Sequence, residues 1–160
     1  MSDAPRSGDR VVVDANILAD WVGGLATVRA GVAIALDKVC CVVCYSTKLR
    51  KEAVGAVARR GAPLSRRRMV DWLDAAAKRG KFRHVTSNKV EQSALDRGVS
   101  DLLPPEDVHV VTTARAAGAR WIVTADTGLQ RAGERAGVRE LVEILSVESL
   151  IDLLPGPPGP

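Results

Sequence analysis

Val11-Val12-Val13-Asp14-Ala15-Asn16-Ile17-Leu18 is the stretch on which the fold turns. Three β-branched residues in a row, after a polar lead-in containing Gly8, suit a short strand buried on both faces, as in the middle of a parallel sheet. The run stops on a carboxylate and an amide, and Ile17, Leu18 and Trp21 then fall at helical spacing. A charge at the carboxyl end of a buried strand sits where open α/β sheets place their ligand crevice. Capping of the following helix by Asp14 or Asn16 accounts for the same residues. The rest of the chain has to separate the two.

Outward from that strand, Gly23 and Gly24 divide helical pattern at Ile17–Trp21 from a second piece around Val28–Leu36. Val39 to Cys44 reads as a second buried strand. Ser46 or Thr47 then caps a helix running to about Arg60, with Leu49, Ala53, Ala56 and Val57 on its apolar stripe. Gly61-Ala62-Pro63 breaks it, and Ser65 opens another helix through Met69, Trp72, Leu73 and Ala76 to Gly80. Phe82–Thr86 reads as a third strand and Glu91–Arg97 as a short helix stopped by Gly98. Pro104 and Pro105 introduce a helix to Ala117 with Gly118 at its end. Trp121–Thr124 is a short strand followed by Asp126, and a helix runs from Thr127 to Ala136. Val142–Val147 is a last strand and Val147–Leu154 a last helix. Strands alternating with helices predict a three-layer α/β/α sandwich with a mainly parallel central sheet. A single domain spans 10–154, between a flexible lead-in (1–9) and a disordered Pro/Gly tail (155–160).

Composition narrows the classes. The 160 residues are 46% apolar and 26% charged, as in one globular domain. Aromatics make up only 3%, so Val, Leu, Ile and Ala pack the core and no aromatic platform stacks single-stranded bases. No apolar run approaches the roughly 20 residues of a membrane span, and Met1–Arg10 has no apolar signal core. The expectation is a cytoplasmic protein. Cys40, Cys41 and Cys44 are too few and too closely strung for a zinc site, and read as small buried hydrophobes. Between Lys48 and Arg83, twelve basic residues face three acids, a local +9 in a chain of net +4, so the remainder carries −5. That asymmetry suits a surface facing a polyanion, or else an Arg-rich solvated hairpin.

Four carboxylates stand where a purely solvent-facing acid does not belong. Asp14 and Asp126 follow strands, Glu52 edges an apolar stripe, and Asp107 opens a helix whose inward positions are Val110, Val111 and Ala114. Each has an ordinary explanation: a cap, a first-turn acid favoured by the helix dipole, or, for Glu52, an i,i+4 partner of Lys48. Together they belong to one sheet edge in a βαβ layout. Clustered carboxylates raise one another's pKa unless a cation sits between them. Hard oxygen donors select Mg²⁺ or Mn²⁺. His84 and His109 read as surface or packing residues, His109 being notable for its nearness to Asp107.

These motifs, Val11–Asn16, the helical Glu52, Pro105-Glu106-Asp107-Val108 leading to Ala114, Ala117 and Gly118, and Trp121–Asp126, resemble in order and spacing those of a PIN domain. The resemblance covers roughly Arg10 to Leu145. Ala15 departs from it, the family usually having Thr or Ser after the first Asp, and the hairpin between Arg59 and Gly80 is divergent. The resemblance implies a metal-dependent ribonuclease in which Asp14, Glu52, Asp107 and Asp126 hold one or two Mg²⁺ or Mn²⁺. Asn16 and Thr124 would orient ligands or water, a metal-activated water would attack the RNA phosphodiester, and the basic stretch would hold the RNA backbone. It also implies the toxin of a toxin–antitoxin pair, with an antitoxin protein and a second copy of the chain as partners.

Two other uses of strand-end aspartates fit worse. A phosphatase of the two-aspartate type needs an acid where Asn16 stands, since an amide cannot protonate a leaving group. A phospho-receiver needs its acceptor on a middle strand, and Val39–Cys44 and Phe82–Thr86 supply none. The remaining rival is the same fold used as a non-catalytic RNA- or protein-binding module.

Overall fold

The computed structural model describes residues 4–23, 31–32, 35–36, 39–59 and 63–154, without the side chains of 22–23 and 63–65. Five parallel strands form one sheet: β1 (Arg10–Val13), β2 (Val42–Ser46), β3 (Phe82–Val85), β4 (Trp121–Val123) and β5 (Glu143–Leu145), in the order β3-β2-β1-β4-β5. Val12 pairs with Cys44 on one side and Ile122 on the other. Val11, Val12 and Val13 are at most 1% exposed, as a strand covered on both edges and both faces must be. The chain builds outward from β1 through β2 to β3, then crosses back to β4 and β5. The order therefore reverses between β1 and β4, and such a reversal opens a crevice beyond the strands' carboxyl ends.

Helices flank this sheet, giving the α/β sandwich read from the sequence. Helix α1 (Ala15–Gly23) packs on α2 (Thr47–Arg59) and α3 (Pro63–Lys78). Leu49, Ala53, Ala56 and Val57 of α2 are buried, and Ser46 Oγ caps it by accepting from Leu49 N–H at 3.1 Å. Trp72 meets Trp21 and Phe82 edge-on at 4.9 Å each, tying α3 to α1 and β3. Three of the few aromatics thus meet at one junction. Short helices α4 (Ser87–Gln92) and α5 (Arg97–Ser100) follow β3. Helix α6 (Val108–Ala117), entered through a 3₁₀ turn at Pro105–Asp107, lies across β1, β2 and β4. It ends at Gly118, whose φ of 67° is the left-handed cap that glycine adopts at least cost. Helices α7 (Thr127–Ala132), α8 (Ala136–Arg139) and α9 (Val147–Leu153) complete the chain. No helix among the described residues is long and apolar enough to cross a membrane.

Several local expectations shift. Val39 is still helical, so β2 starts at Val42 instead of Val39. Between them Cys40 makes the turn with φ 53° and is exposed, so only Cys41 and Cys44 behave as buried hydrophobes. The helix placed at Glu91–Arg97 begins at Ser87, because Thr86 caps it by accepting from Lys89 N–H; Gly98 lies inside α5 and stops nothing. The helix expected over Thr127–Ala136 ends at Ala132. A Cβ at Gly133, the residue that follows, would come within 2.8 Å of Ile144 Cβ, so the chain passes β5 there too closely for a side chain. Helix α3 starts two residues early, at Pro63. The divide at Gly24 and the tail at 155–160 lie outside the described residues.

Candidate acidic active site

The carboxyl ends of β1 and β4, side by side at the reversal of strand order, carry the first two carboxylates. Asp14 continues the ladder, its N–H donating to Val123 O at 2.9 Å, and its side chain is only 7% exposed. Oδ1 accepts from Ala15 N–H at 2.7 Å and Oδ2 from the Thr124 hydroxyl at 2.8 Å. Thr124 is wholly buried, and its Oγ also accepts from Asp126 N–H at 3.0 Å. One hydroxyl therefore links the two strand-end acids. Each Asp14 oxygen spends one lone pair in this way and keeps another. Asp126 realises the capping explanation: Oδ1 accepts from Leu129 N–H at 2.9 Å at the start of α7, while the residue stays exposed. Gly128 lies against it, its pro-Cβ direction 3.1 Å from Asp126 Oδ1.

Asp107 is the anomaly. It sits at the N-cap of α6, yet its side chain makes no capping hydrogen bond. Instead the residue is buried, and Oδ2 is shut off from solvent without a partner. Burial raises its pKa from 3.8 to about 6, and the charges of Asp126, Asp14, Glu106 and Glu52 add to the rise. Acids from four separate stretches therefore act on one carboxylate, an opposition that a solvated first-turn acid at a helix dipole does not meet.

Glu52 lies in the second turn of α2, exposed at its carboxylate. Its oppositely polarised neighbour is His109, not Lys48: His109 Nε2 approaches Glu52 Oε2 to 3.0 Å, and the imidazole is 10% exposed. Neither ring nitrogen makes an aligned hydrogen bond. Burial holds the His109 pKa below its ordinary value against the pull of Glu52. The sequence offered one clue to His109, its place two residues beyond Asp107; its approach to α2 is a tertiary fact. Asn16 is exposed one residue past Ala15, on the first turn of α1. His84 lies apart from the acids, Nε2 2.9 Å from Thr47 Oγ1.

None of Asp14, Glu52, Asp107 and Asp126 pairs with Lys or Arg among the described residues. Nor do any three carboxylate, His or Cys groups among those residues close around a point at ligand distance. The donor set nonetheless fits a hard divalent ion. Mg²⁺ takes one or two carboxylates directly and fills its remaining positions with water and substrate phosphate, and the unpartnered, solvent-excluded Asp107 Oδ2 is the acceptor such an ion satisfies.

A groove of about 450 Å³ lies between α2 and α3, lined by Thr47, Arg50, Lys51, Val54, Gly55, Arg66 and Val70. It starts at the carboxyl end of β2, on the helix that carries Glu52. A smaller apolar hollow of about 250 Å³, beside Trp21, Trp72 and Phe82, opens near the amino ends of β2 and β3, away from the acids.

Compared with known families, residues 10–128 match the model of the PIN domain. No curated protein matches the chain.

Proposed function

Because the chain belongs to the PIN-domain family, a nuclease fold, we propose that it is a divalent-metal-dependent endoribonuclease acting through Asp14, Asp107, Asp126 and Glu52. The observation that carries the reading is the Asp107 carboxylate: buried, uncapped, with an unpartnered oxygen, and opposed by four other acids. A fold under no demand to bind a cation gains by neutralising or pairing such a group. When bound, Mg²⁺ or Mn²⁺ lowers the pKa of water and offsets charge on the phosphate in flight.

The chain's own residues do the rest. Thr124 fixes the rotamer of Asp14 and, through Asp126 N–H, the turn that presents Asp126. Asp107 brings charge into a poorly solvated place, where its attraction for a cation is strengthened. Asn16, exposed beside Asp14, offers an amide to the phosphate or to the attacking water. Arg50, Lys51 and Arg66 hold the RNA backbone in the groove between α2 and α3, a salt-dependent and largely sequence-independent attraction. In the cell this reading extends to the toxin of a toxin–antitoxin pair, inhibited by an antitoxin protein and working as a homodimer.

The test is cleavage of end-labelled RNA by the purified protein with Mg²⁺ or Mn²⁺, set against EDTA and against Asp14→Asn. Cleavage that survives EDTA, or that Asp14→Asn leaves intact, overturns the reading. One observation favours a second reading, a non-catalytic RNA-binding module: no three candidate ligands among the described residues close to ligand distance. Calorimetric titration with Mn²⁺ separates the two, because a pure binding module is indifferent to the ion.

A further inference from the structure

Resting on the metal-dependent reading above, we infer that His109 is the positioning residue for Glu52, tying α2 to α6 so that a mobile surface carboxylate is presented to the ion held by the buried acids.

Glu52 is the least constrained of the four carboxylates. Asp14 is held by Ala15 N–H and Thr124, Asp126 by Leu129 N–H, and Asp107 by its burial. Glu52 has a long side chain, 43% exposed, on a helix that otherwise turns basic residues outward. Left alone it would sample many rotamers and lose that freedom on binding an ion. The His109 imidazole removes much of the freedom in advance. It is 10% exposed, held in the packing between α6 and α2, and puts Nε2 3.0 Å from Glu52 Oε2. A carboxylate with one oxygen against an imidazole keeps the other oxygen for a cation.

His109 also sits two residues beyond Asp107, on the helix that Asp107 opens, so a movement of α6 shifts both groups together. The backbone adds stiffness here, since Thr113 Oγ donates to His109 O at 2.7 Å. The imidazole therefore sets the separation between the exposed Glu52 and the buried Asp107. Groups that orient ligands in this way typically change metal affinity about 10- to 100-fold when removed.

The experiment measures Mn²⁺ dissociation constants by calorimetry for the full chain and for His109→Leu, His109→Asn and His109→Gln, each also in a Glu52→Gln background. A thermal melt in EDTA accompanies each variant. His109→Leu keeps the apolar packing without the nitrogen, and His109→Asn keeps polarity but is too short to reach Glu52. Both are expected to weaken Mn²⁺ binding about tenfold or more, while His109→Gln, whose amide reaches as far as Nε2, restores most of it. In the Glu52→Gln background none of the three should weaken binding further, the non-additivity expected of groups acting through one another. The Mn²⁺ concentration for half-maximal cleavage should rise with the dissociation constant while the rate at saturating Mn²⁺ stays near wild type. His109→Asn and His109→Leu binding within twofold of wild type, or weakening that is as large in the Glu52→Gln background, overturns the inference alone. A wild-type protein that takes up no Mn²⁺ overturns the nuclease reading, and this inference with it.

Discussion

Replacing Asp107 by Asn probes the site where its electrostatics are most lopsided. In the folded protein the Asp107 pKa rises from 3.8 to about 6 because burial and four neighbouring acids oppose its charge. In the unfolded chain it returns to its ordinary value, so between those two pH values the native state holds the extra proton. Stability therefore falls as pH rises from about 4 to about 6 and stays low above that, because the unfolded state gives up the proton first. At 1.36 kcal/mol per pH unit the difference is about 3 kcal/mol, an upper figure that solvent screening of the surrounding acids reduces. Asn has the same shape without the charge. In EDTA at pH 8, Asp107→Asn should be more stable than wild type by about 1 to 3 kcal/mol, a rise in melting temperature of roughly 3 to 10 °C for a chain of this size. At pH 3.5 the two should melt together. Mn²⁺ should reverse the order at pH 8, since an ion that binds only the native wild type stabilises it by RT ln(1 + [L]/Kd), about 4.1 kcal/mol at a thousandfold excess over Kd. The assay is a set of melts over about pH 3.5 to 8 with EDTA or Mn²⁺, with RNA cleavage measured on the same samples. The reasoning is refuted if the variant is less stable than wild type in EDTA at pH 8, or if Mn²⁺ stabilises both equally. Undiminished cleavage by a folded Asp107→Asn removes the residue from the site.

Thr124→Val removes the hydroxyl that donates to Asp14 Oδ2 and accepts from Asp126 N–H; leaving those groups unpaired should cost about 2 to 4 kcal/mol in a urea melt, and Thr124→Ser should recover most of it. Gly133→Ala places a Cβ 2.8 Å from Ile144 Cβ and is expected to lose about 1 to 3 kcal/mol as overpacking, with Mn²⁺ affinity unchanged; a melting temperature equal to wild type would count against the close contact. Arg66→Ala should weaken binding of a non-cleaved RNA and lower the slope of log affinity against log salt by about one, without touching Mn²⁺ affinity. Gly118→Ala, at φ 67°, should cost about 1 kcal/mol and leave the site intact.

The sequence by itself determined the architecture and which acids follow strands. Val11–Val13 suited a strand covered on both faces, since three adjacent β-branched residues leave no face for water. Pro104-Pro105, Gly118 and the stripe of Leu49, Ala53, Ala56 and Val57 marked their helices for equally local reasons: fixed φ, free φ, and the 3.6-residue period. Asp14 and Asp126 were legible because they follow strands. What the sequence left open was which acids are ordinary caps. Asp126 does cap α7 and Asp107 caps nothing, although both precede helices. That difference depends on which side chains the sheet and α6 bury, a matter of contacts between residues far apart in the chain. The pairing of His109 with Glu52 was invisible for the same reason, because 57 positions separate residues that meet only when α2 and α6 pack. The close approach of Gly133 to Ile144 is likewise a tertiary fact, made by residues on separate elements. Local residue chemistry sets period, caps and donor type; burial and charge proximity are properties of the folded whole.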